Sequence, residues 1–270
     1  MNTIELAVLT KNNRPMDIID WVSYHLAIGF DKITIFDNNS TYSIKDLFNN
    51  DKVEVREIKE DYGFSKNFSP MYNLYSNFCK ERTPYTKWLC FIDDDEYVYM
   101  NNEKDIKNLL NVDVNILCMY WKMISLPDII QDRNTTLIDT FNYISPLHTP
   151  WGNNIFIKSI INLSKNNNTI WTDPHIPSIN SSMSAFTFDK VHVSSAFTAL
   201  TPDFYTNKSV VLYHYYHQSF KDREFKVNRA GTSNGQTFRP ADFMSFTNEI
   251  LNKYTMLDNS MINLKREILN

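Results

Sequence analysis

The sequence predicts an α/β domain built on a largely parallel sheet. Strand and helix signals alternate through the first 120 residues, the apolar strand candidates there run into concentrated polar residues, and no linker, repeat or low-complexity tract divides the 270-residue chain. A chain of this length can bury a sizeable core as one large domain or two small ones, and the unbroken pattern favours one.

Ile4 to Leu9 (IELAVL) reads as a buried strand. Pro15 suits the first turn of a helix, Ile18, Val22 and Leu26 recur at i, i+4 and i+8, and Gly29 falls where a helix C′ glycine belongs. A second strand, Lys32 to Phe36, ends in Asp37-Asn38-Asn39-Ser40. Val53 to Ile58 is a third strand and Ser69 to Lys80 a helix. Trp88 to Ile92 (WLCFI) is a strongly apolar fourth strand that runs straight into Asp93-Asp94-Asp95-Glu96. A helix over Glu103 to Leu110 and a strand over Asn115 to Tyr120 follow. Beyond them Pro127, Pro146, Pro150, Pro174 and Pro177 punctuate shorter segments, including Ile155 to Ile161 and Ala185 to Val193. Val210 to Tyr213 reads as a strand and Gln218 to Arg229 as a charged helix. A closing amphipathic helix, roughly Ala241 to Tyr254, is expected to pack back on the domain through Phe243, Phe246, Ile250 and Leu251.

Composition excludes several classes. The chain has 5 glycines, where average usage of about 7% would give roughly 19. None are spaced as GxGxxG or GxxxxGK, so neither a dinucleotide fingerprint nor a Walker A cradle is present, and any phosphate must be met by side chains or a metal. Lys+Arg 27 against Asp+Glu 31 gives a net charge of −4, which does not favour nucleic acid. Cys79, Cys90 and Cys118 form no C-x-x-C pair and read as reduced core thiols. MNTIELAVLTKNN lacks the pattern of a signal peptide, and no run of about 18 apolar residues occurs. The expectation is a cytoplasmic protein, with peripheral contact at the inner face of a membrane left open.

Ligands in open α/β sheets gather beyond the carboxyl ends of strands, and two such ends here carry DNNS and DDDE. Three aspartates and a glutamate repel one another unless solvated or neutralised, and hard divalent cations take oxygen ligands of this kind. In an extended segment Asp93 and Asp95 would face the same side and address one metal; an acidic surface turn is the plainer alternative. A second constellation is His214-Tyr215-Tyr216-His217-Gln218-Ser219 followed by Lys221, Arg223, Lys226 and Arg229. Here His214 ends an apolar strand, and Lys226 and Arg229 share a helix face at i, i+3. Together they suit a side-chain cradle for a diphosphate, although a core histidine and a solvated helix face account for the same residues. In the DNNS cluster Asp37 suits recognition of a base or ribose hydroxyl, while turn formation alone explains the asparagines.

The run Trp21-Val22-x-Tyr24-His25-Leu26-x-Ile28-Gly29-Phe30-Asp31-Lys32, leading into Phe36-Asp37-Asn38-Asn39-Ser40, resembles the opening of family-two-like glycosyltransferases of the GT-A fold, in the branch described as the family ninety-two type. Trp88-Leu89-Cys90-Phe91-Ile92-Asp93-Asp94-Asp95-Glu96 is similar to that branch's form of the DxD motif. The resemblance continues at Lys158-Ser159-Ile160-Ile161, at His175-x-Pro177, and at His214-Tyr215 with Ser219, Phe225, Lys226, Arg229 and Gly231. It implies a GT-A fold, a Rossmann-like mixed sheet with helices on both faces, in a single domain over 1–240. The nucleotide-binding half would be about 1–120 and the acceptor half about 121–240, with 241–270 a helical extension. It also implies a nucleotide-sugar donor, a glycan or glycolipid acceptor and Mn²⁺ or Mg²⁺. On matching positions Thr10, Lys11 and Asp37 border the nucleotide, and Asp93 and Asp94 lie at the nucleotide-sugar, with Asp93 near ribose and metal. Asp95 is the principal metal ligand, His214 completes the coordination, and Lys226 and Arg229 face the diphosphate. Where the family has an Arg-Asn-Glu-like triplet this chain has Lys11-Asn12-Asn13, so a carboxylate is missing.

An inverting transfer needs a base for the acceptor hydroxyl. Asp128 and Asp173 are the candidates, and Asp173, which precedes Pro174-His175-x-Pro177, is preferred of the two, with an Asp that caps a turn before proline as the plainer alternative; a retaining transfer requires no such base, and spacing does not decide between them. Trp121, Trp151, Trp171 and Tyr205 offer faces for sugar rings or simply core. The rival class is a non-catalytic nucleotide- or glycan-binding protein of the same fold. A phosphatase-like D-x-D-x-T/V nucleophile is disfavoured by Tyr97, where that motif places Thr or Val.

Overall fold

The computed structural model describes residues 3–59, 69–144, 156–166, 168–179, 183–194, 209–230 and 252–269. Four parallel strands start the sheet: β1 (Ile4–Thr10), β2 (Lys32–Asp37), β3 (Val53–Glu57) and β4 (Trp88–Phe91), in the order β3-β2-β1-β4. Side chains alternate across them. Ile4, Leu6 and Val8 of β1 with Trp88 and Cys90 of β4 pack on helix α1 (Pro15–Ala27) through Ile18, Trp21 and Val22. Ala7, Leu89 and Phe91 point the other way, onto Tyr75, Phe78 and Cys79 of helix α2 (Ser69–Arg82). One helix therefore covers each face, as the near-continuous apolar strands require.

The sheet turns mixed after β4. Only residues 92–95 separate β4 from β5 (Glu96–Met100), too few for the crossover that parallel neighbours need. β5 instead pairs antiparallel with β10 (Val210–His214), which lies parallel to the long β6 (Ile116–Ser125). β8 (Ile157–Asn162) fills the place between β4 and β6 and is antiparallel to both. β6 also carries β9 (Ala185–Thr187) and β7 (Tyr143–Ile144), and β7 pairs with β11 (Met256–Leu257) at the sheet edge. The expected strand Ala185 to Val193 is thus shorter. Lys190 takes φ +64° and the chain folds back, Val193 N–H donating to Ala185 O at 2.9 Å.

Two further differences have local causes. The helix expected from Glu103 shrinks to the single turn α3 (Ile106–Leu109), because Asp105 caps it by accepting from Lys107 N–H, and a second single turn, α4 (Leu137–Thr140), follows β6. The expected helix over Ala241 to Tyr254 falls mostly outside the described residues, and its last three, 252–254, are not helical. A helix at Ser260–Leu269, within the helical extension expected over 241–270, places Met261 and Leu264 in the core shared with α1. All three cysteines are free and buried. No helix among the described residues is long and apolar enough to cross a membrane.

Gly29 takes φ +105°, which disfavours any side chain, and a Cβ there would press on Asp105 Oδ1, the oxygen that caps α3.

Two buried charged clusters tie the elements together. Glu5, fully buried in β1, accepts from Thr34 at 2.7 Å, Arg82 at 2.6 Å and Thr86 at 2.9 Å, joining two strands to the end of α2. Arg133 lies between Asp17 of α1 and Asp222 of helix α5 (Phe220–Ala230), donating at 2.8 Å to Asp17 Oδ1 and 2.7 Å to Asp222 Oδ2. Arg14 adds a second bond to Asp222 at 2.7 Å. This network fixes α5 against the start of α1. Arg133→Met leaves Asp17 buried without a cation and Asp222 with Arg14 alone, and is expected to cost about 3–5 kcal/mol in urea unfolding.

His25 is neutral by construction: Nδ1–H donates to Trp21 O at 2.7 Å and Nε2 faces Val98 N–H at 3.4 Å. Burial drives its pKa down to about 3, and burial does the same to His217. Because the unfolded chain binds these protons first, their contribution is complete above about pH 6.5 and is lost as the pH falls toward 3. Unfolding free energy between pH 5.5 and 4 should therefore fall by ~1.3 kcal/mol per pH unit for each histidine. His25→Asn should remove one such share of the slope in urea titrations.

Candidate functional site

Parallel pairing of β1 with β2 and β4 brings three strand ends to one edge, with Thr10 opposite Asp37 in the register. The loops after β1 and β2 are laced together. Asn38 N–H donates to Thr10 O at 2.8 Å, Asn12 N–H to Ser40 Oγ at 2.8 Å, and Thr41 N–H to Asn12 Oδ1 at 2.6 Å. Asn12 and Asn39 hold φ of +53° and +59°, which asparagine tolerates through its own local bonds. Asp37 is buried, and its Oδ1 accepts from Ser40 N–H at 3.0 Å. Lys11 follows directly on the β1 end, in the same loop as Asn12.

The acidic segment is a turn, which corrects the expectation of an extended run with Asp93 and Asp95 on one side. Glu96 N–H donates back to Asp93 O at 3.1 Å, and Glu96 Oε2 accepts from Asp93 N–H at 2.7 Å. The turn sends its three aspartates in different directions. Asp94 accepts from Thr10 Oγ1 at 2.6 Å, tying the turn to β1. Asp93 meets Lys158 Nζ at 3.0 Å, and the same ammonium lies 3.6 Å from Glu96. Asp95, 6% exposed at its side chain, bonds Lys226 Nζ through Oδ2, accepts from Gln218 Nε2 at 3.3 Å, and has His214 Nε2 at 3.6 Å from Oδ1.

His214 reaches Asp95 because β10 pairs with β5 in the register His214 opposite Glu96, and Tyr215 N–H donates to Asp95 O at 2.9 Å. Gln218 and Lys226 arrive with the chain that leaves β10 and enters α5, whose start is held by Arg14 and Arg133. Of the two helix cations read from sequence, Lys226 is at the site. The side chain of Arg229, like the whole of Gly231, lies outside the described residues.

Electrostatics separate the two neighbouring carboxyls. Burial works to raise Asp95, but Lys226 and His214 outweigh it and hold the group well below the usual carboxylate range. Burial pushes Glu96 up to about 7, against the pull of Lys158 and with the repulsion of Asp93. Burial works to lower Lys158, and Asp93 and Glu96 overcome it and hold that ammonium above the ordinary lysine range.

An aromatic wall adjoins His214. The Trp121 ring centroid is 4.3 Å from that of His214, 5.0 Å from His175 and 5.2 Å from Phe156, and Tyr216 lies 5.5 Å from His214. Among the described residues, His214 Nδ1, Trp121 Nε1 and Glu96 Oε1 are buried without a hydrogen-bond partner. Trp171 is core, packed between Tyr75 and Phe91, while Trp151 and Tyr205 lie outside the described residues. Asp173 caps its own turn, with Oδ1 accepting from His175 N–H at 2.8 Å. Asp128 is exposed.

Among the described residues no cluster of three or more His, Cys, Asp or Glu is arranged to hold a metal. The donors at hand are the Asp95 carboxylate and the His214 imidazole. Such a set fits a cation that takes one or two protein ligands and fills its other positions with water and ligand phosphate oxygens. Comparison of the chain with protein-family models and with curated proteins returns no match.

Lys158, Gln218 and the structural part of Glu96 were not assigned roles from sequence. A signal existed for Lys158, a lone ammonium in the apolar run IFIKSIINL, since a buried lysine needs a buried carboxylate nearby. Lys158→Met should cost about 3–5 kcal/mol in urea unfolding because it strands the fully buried Glu96. The double change Lys158→Met/Glu96→Gln should recover part of that loss.

Proposed function

We propose that this chain is a metal-dependent glycosyltransferase of the GT-A fold. It moves a sugar, a hexose, from a nucleotide-sugar donor to a glycan or lipid-linked saccharide in surface polysaccharide biosynthesis, on the cytoplasmic side. The observation that carries the reading is the gathering of Thr10, Asp37, Asp94 and Asp95 at one sheet edge with His214 and Lys226 brought to Asp95 from the far end of the chain. The mixed sheet, parallel through β4 and then interrupted by an antiparallel strand, supports it at the level of fold.

In this reading Thr10, Lys11 and Asp37 border the base and ribose, and Asp93 and Asp94 lie at the nucleotide-sugar. Asp93 stays held by Lys158 and turns its half-exposed carboxylate toward a ribose hydroxyl. Asp95 and His214 hold Mn²⁺ or Mg²⁺, which when bound supplies a Lewis acid that neutralises charge on the departing diphosphate. Lys226, with Arg229, adds charge-assisted hydrogen bonds to the same oxygens. UDP is the favoured nucleotide. Trp121 offers an aromatic face beside His214 for a sugar ring. If configuration inverts, Asp173 is the base; the His175 N–H bond at 2.8 Å orients its carboxylate.

Release of nucleoside diphosphate from a panel of nucleotide sugars, with Mn²⁺ and candidate acceptors, separates a transferase from a protein that only binds. Asp95→Ala should keep the fold and lower Mn²⁺-dependent UDP binding by about 100-fold or more. Undiminished Mn²⁺-dependent UDP or GDP binding by that variant would falsify the assignment of Asp95 as the metal ligand.

A further inference from the structure

Both ends of the Asp93-Asp94-Asp95 run are held by a lysine, and the two lysines are held differently. Lys158 is 3% exposed and wedged between Asp93 and Glu96 at 3.0 and 3.6 Å. It cannot leave without stranding a carboxyl that is itself fully buried. Lys226 is 22% exposed and reaches Asp95 from α5 at the end of a flexible four-carbon stem. Its ammonium sits on Oδ2 of the carboxylate whose Oδ1 faces His214 Nε2 at 3.6 Å.

An ammonium and a divalent cation on one nearly buried carboxylate repel each other strongly, because little water is present to screen them. The ammonium must therefore move when a cation arrives. Moving it into solvent forfeits the ion pair, whereas moving it onto an anion beside the cation keeps one. Lys158 offers no such choice and leaves only the Asp95 end open to an incoming cation.

We propose that Lys226 is an internal counter-ion which a divalent cation displaces from Asp95, and that a diphosphate takes up the displaced ammonium, so that cation and diphosphate bind as a linked pair. The diphosphate as partner rests on the nucleotide-sugar reading above; the displacement itself does not. Linkage is reciprocal, so the factor by which diphosphate tightens the cation equals that by which the cation tightens diphosphate.

The test measures Mn²⁺ binding by electron paramagnetic resonance of the free ion, with and without UDP or GDP. The full chain is compared as wild type, Lys226→Met and Lys226→Arg. Lys226→Met should bind Mn²⁺ alone about tenfold more tightly than wild type. The enhancement that UDP gives to Mn²⁺ should shrink by a similar factor of about ten. Lys226→Arg, which keeps the positive charge, should not bind Mn²⁺ alone more tightly. Mn²⁺ affinity of Lys226→Met no greater than wild type overturns the displacement, even where wild type binds UDP with Mn²⁺. Tighter Mn²⁺ binding by Lys226→Met with no UDP or GDP binding in any form upholds the displacement and removes the nucleotide reading.

Discussion

A carboxylate that is almost out of water has to be neutralised from within the protein, and Asp95 imposes that constraint on the whole sheet edge. Its neighbours come from three parts of the chain: His214 from the end of β10, Gln218 from the segment that follows, and Lys226 from the second turn of α5. None of these can reach it unless β10 lies beside β5 and α5 is fixed at its start. The buried Arg133, with Arg14, Asp17 and Asp222, does the fixing and so transmits the position of α1 to the helix that carries Lys226.

The same economy of charge governs the rest of the acidic turn. Asp94 is satisfied by a hydroxyl, and Asp93 and Glu96 share one ammonium. Four consecutive acidic residues thus face a hydroxyl, two ammonium groups, an amide and an imidazole. Their repulsion, which made them conspicuous, is removed by the fold before any ligand is considered. What remains available to a ligand is narrow: the half-exposed oxygens of Asp93 and the Asp95–His214 pair, flanked by Trp121.

Much of the first half was legible. Apolar runs such as IELAVL and WLCFI have little choice of structure, and their strands fall within a residue or two of the expected limits. Gly29 was readable as a helix end, and the observed φ and the proximity of Asp105 explain why nothing larger serves. Less legible were β5 (EYVYM), a five-residue strand that follows an acidic turn and opens on a buried glutamate, and the C-terminal helix, whose ten residues carry only a short amphipathic pattern. The grouping of Asp95 with His214 and Lys226 was anticipated as a set of residue types. Its pairing scheme was not, because spacing along a strand cannot foretell a turn.

By itself the sequence determined the α/β class, the strand ends at which polar residues collect, the burial of the cysteines and the absence of a glycine-built phosphate cradle. Each of these follows from local pattern and composition, which act over a few residues. Only the tertiary structure decided which carboxylate meets which cation, because Lys158 and Lys226 lie 65 and 131 residues from their partners. The energy of such contacts depends on burial and distance in space, and neither quantity is written along the chain.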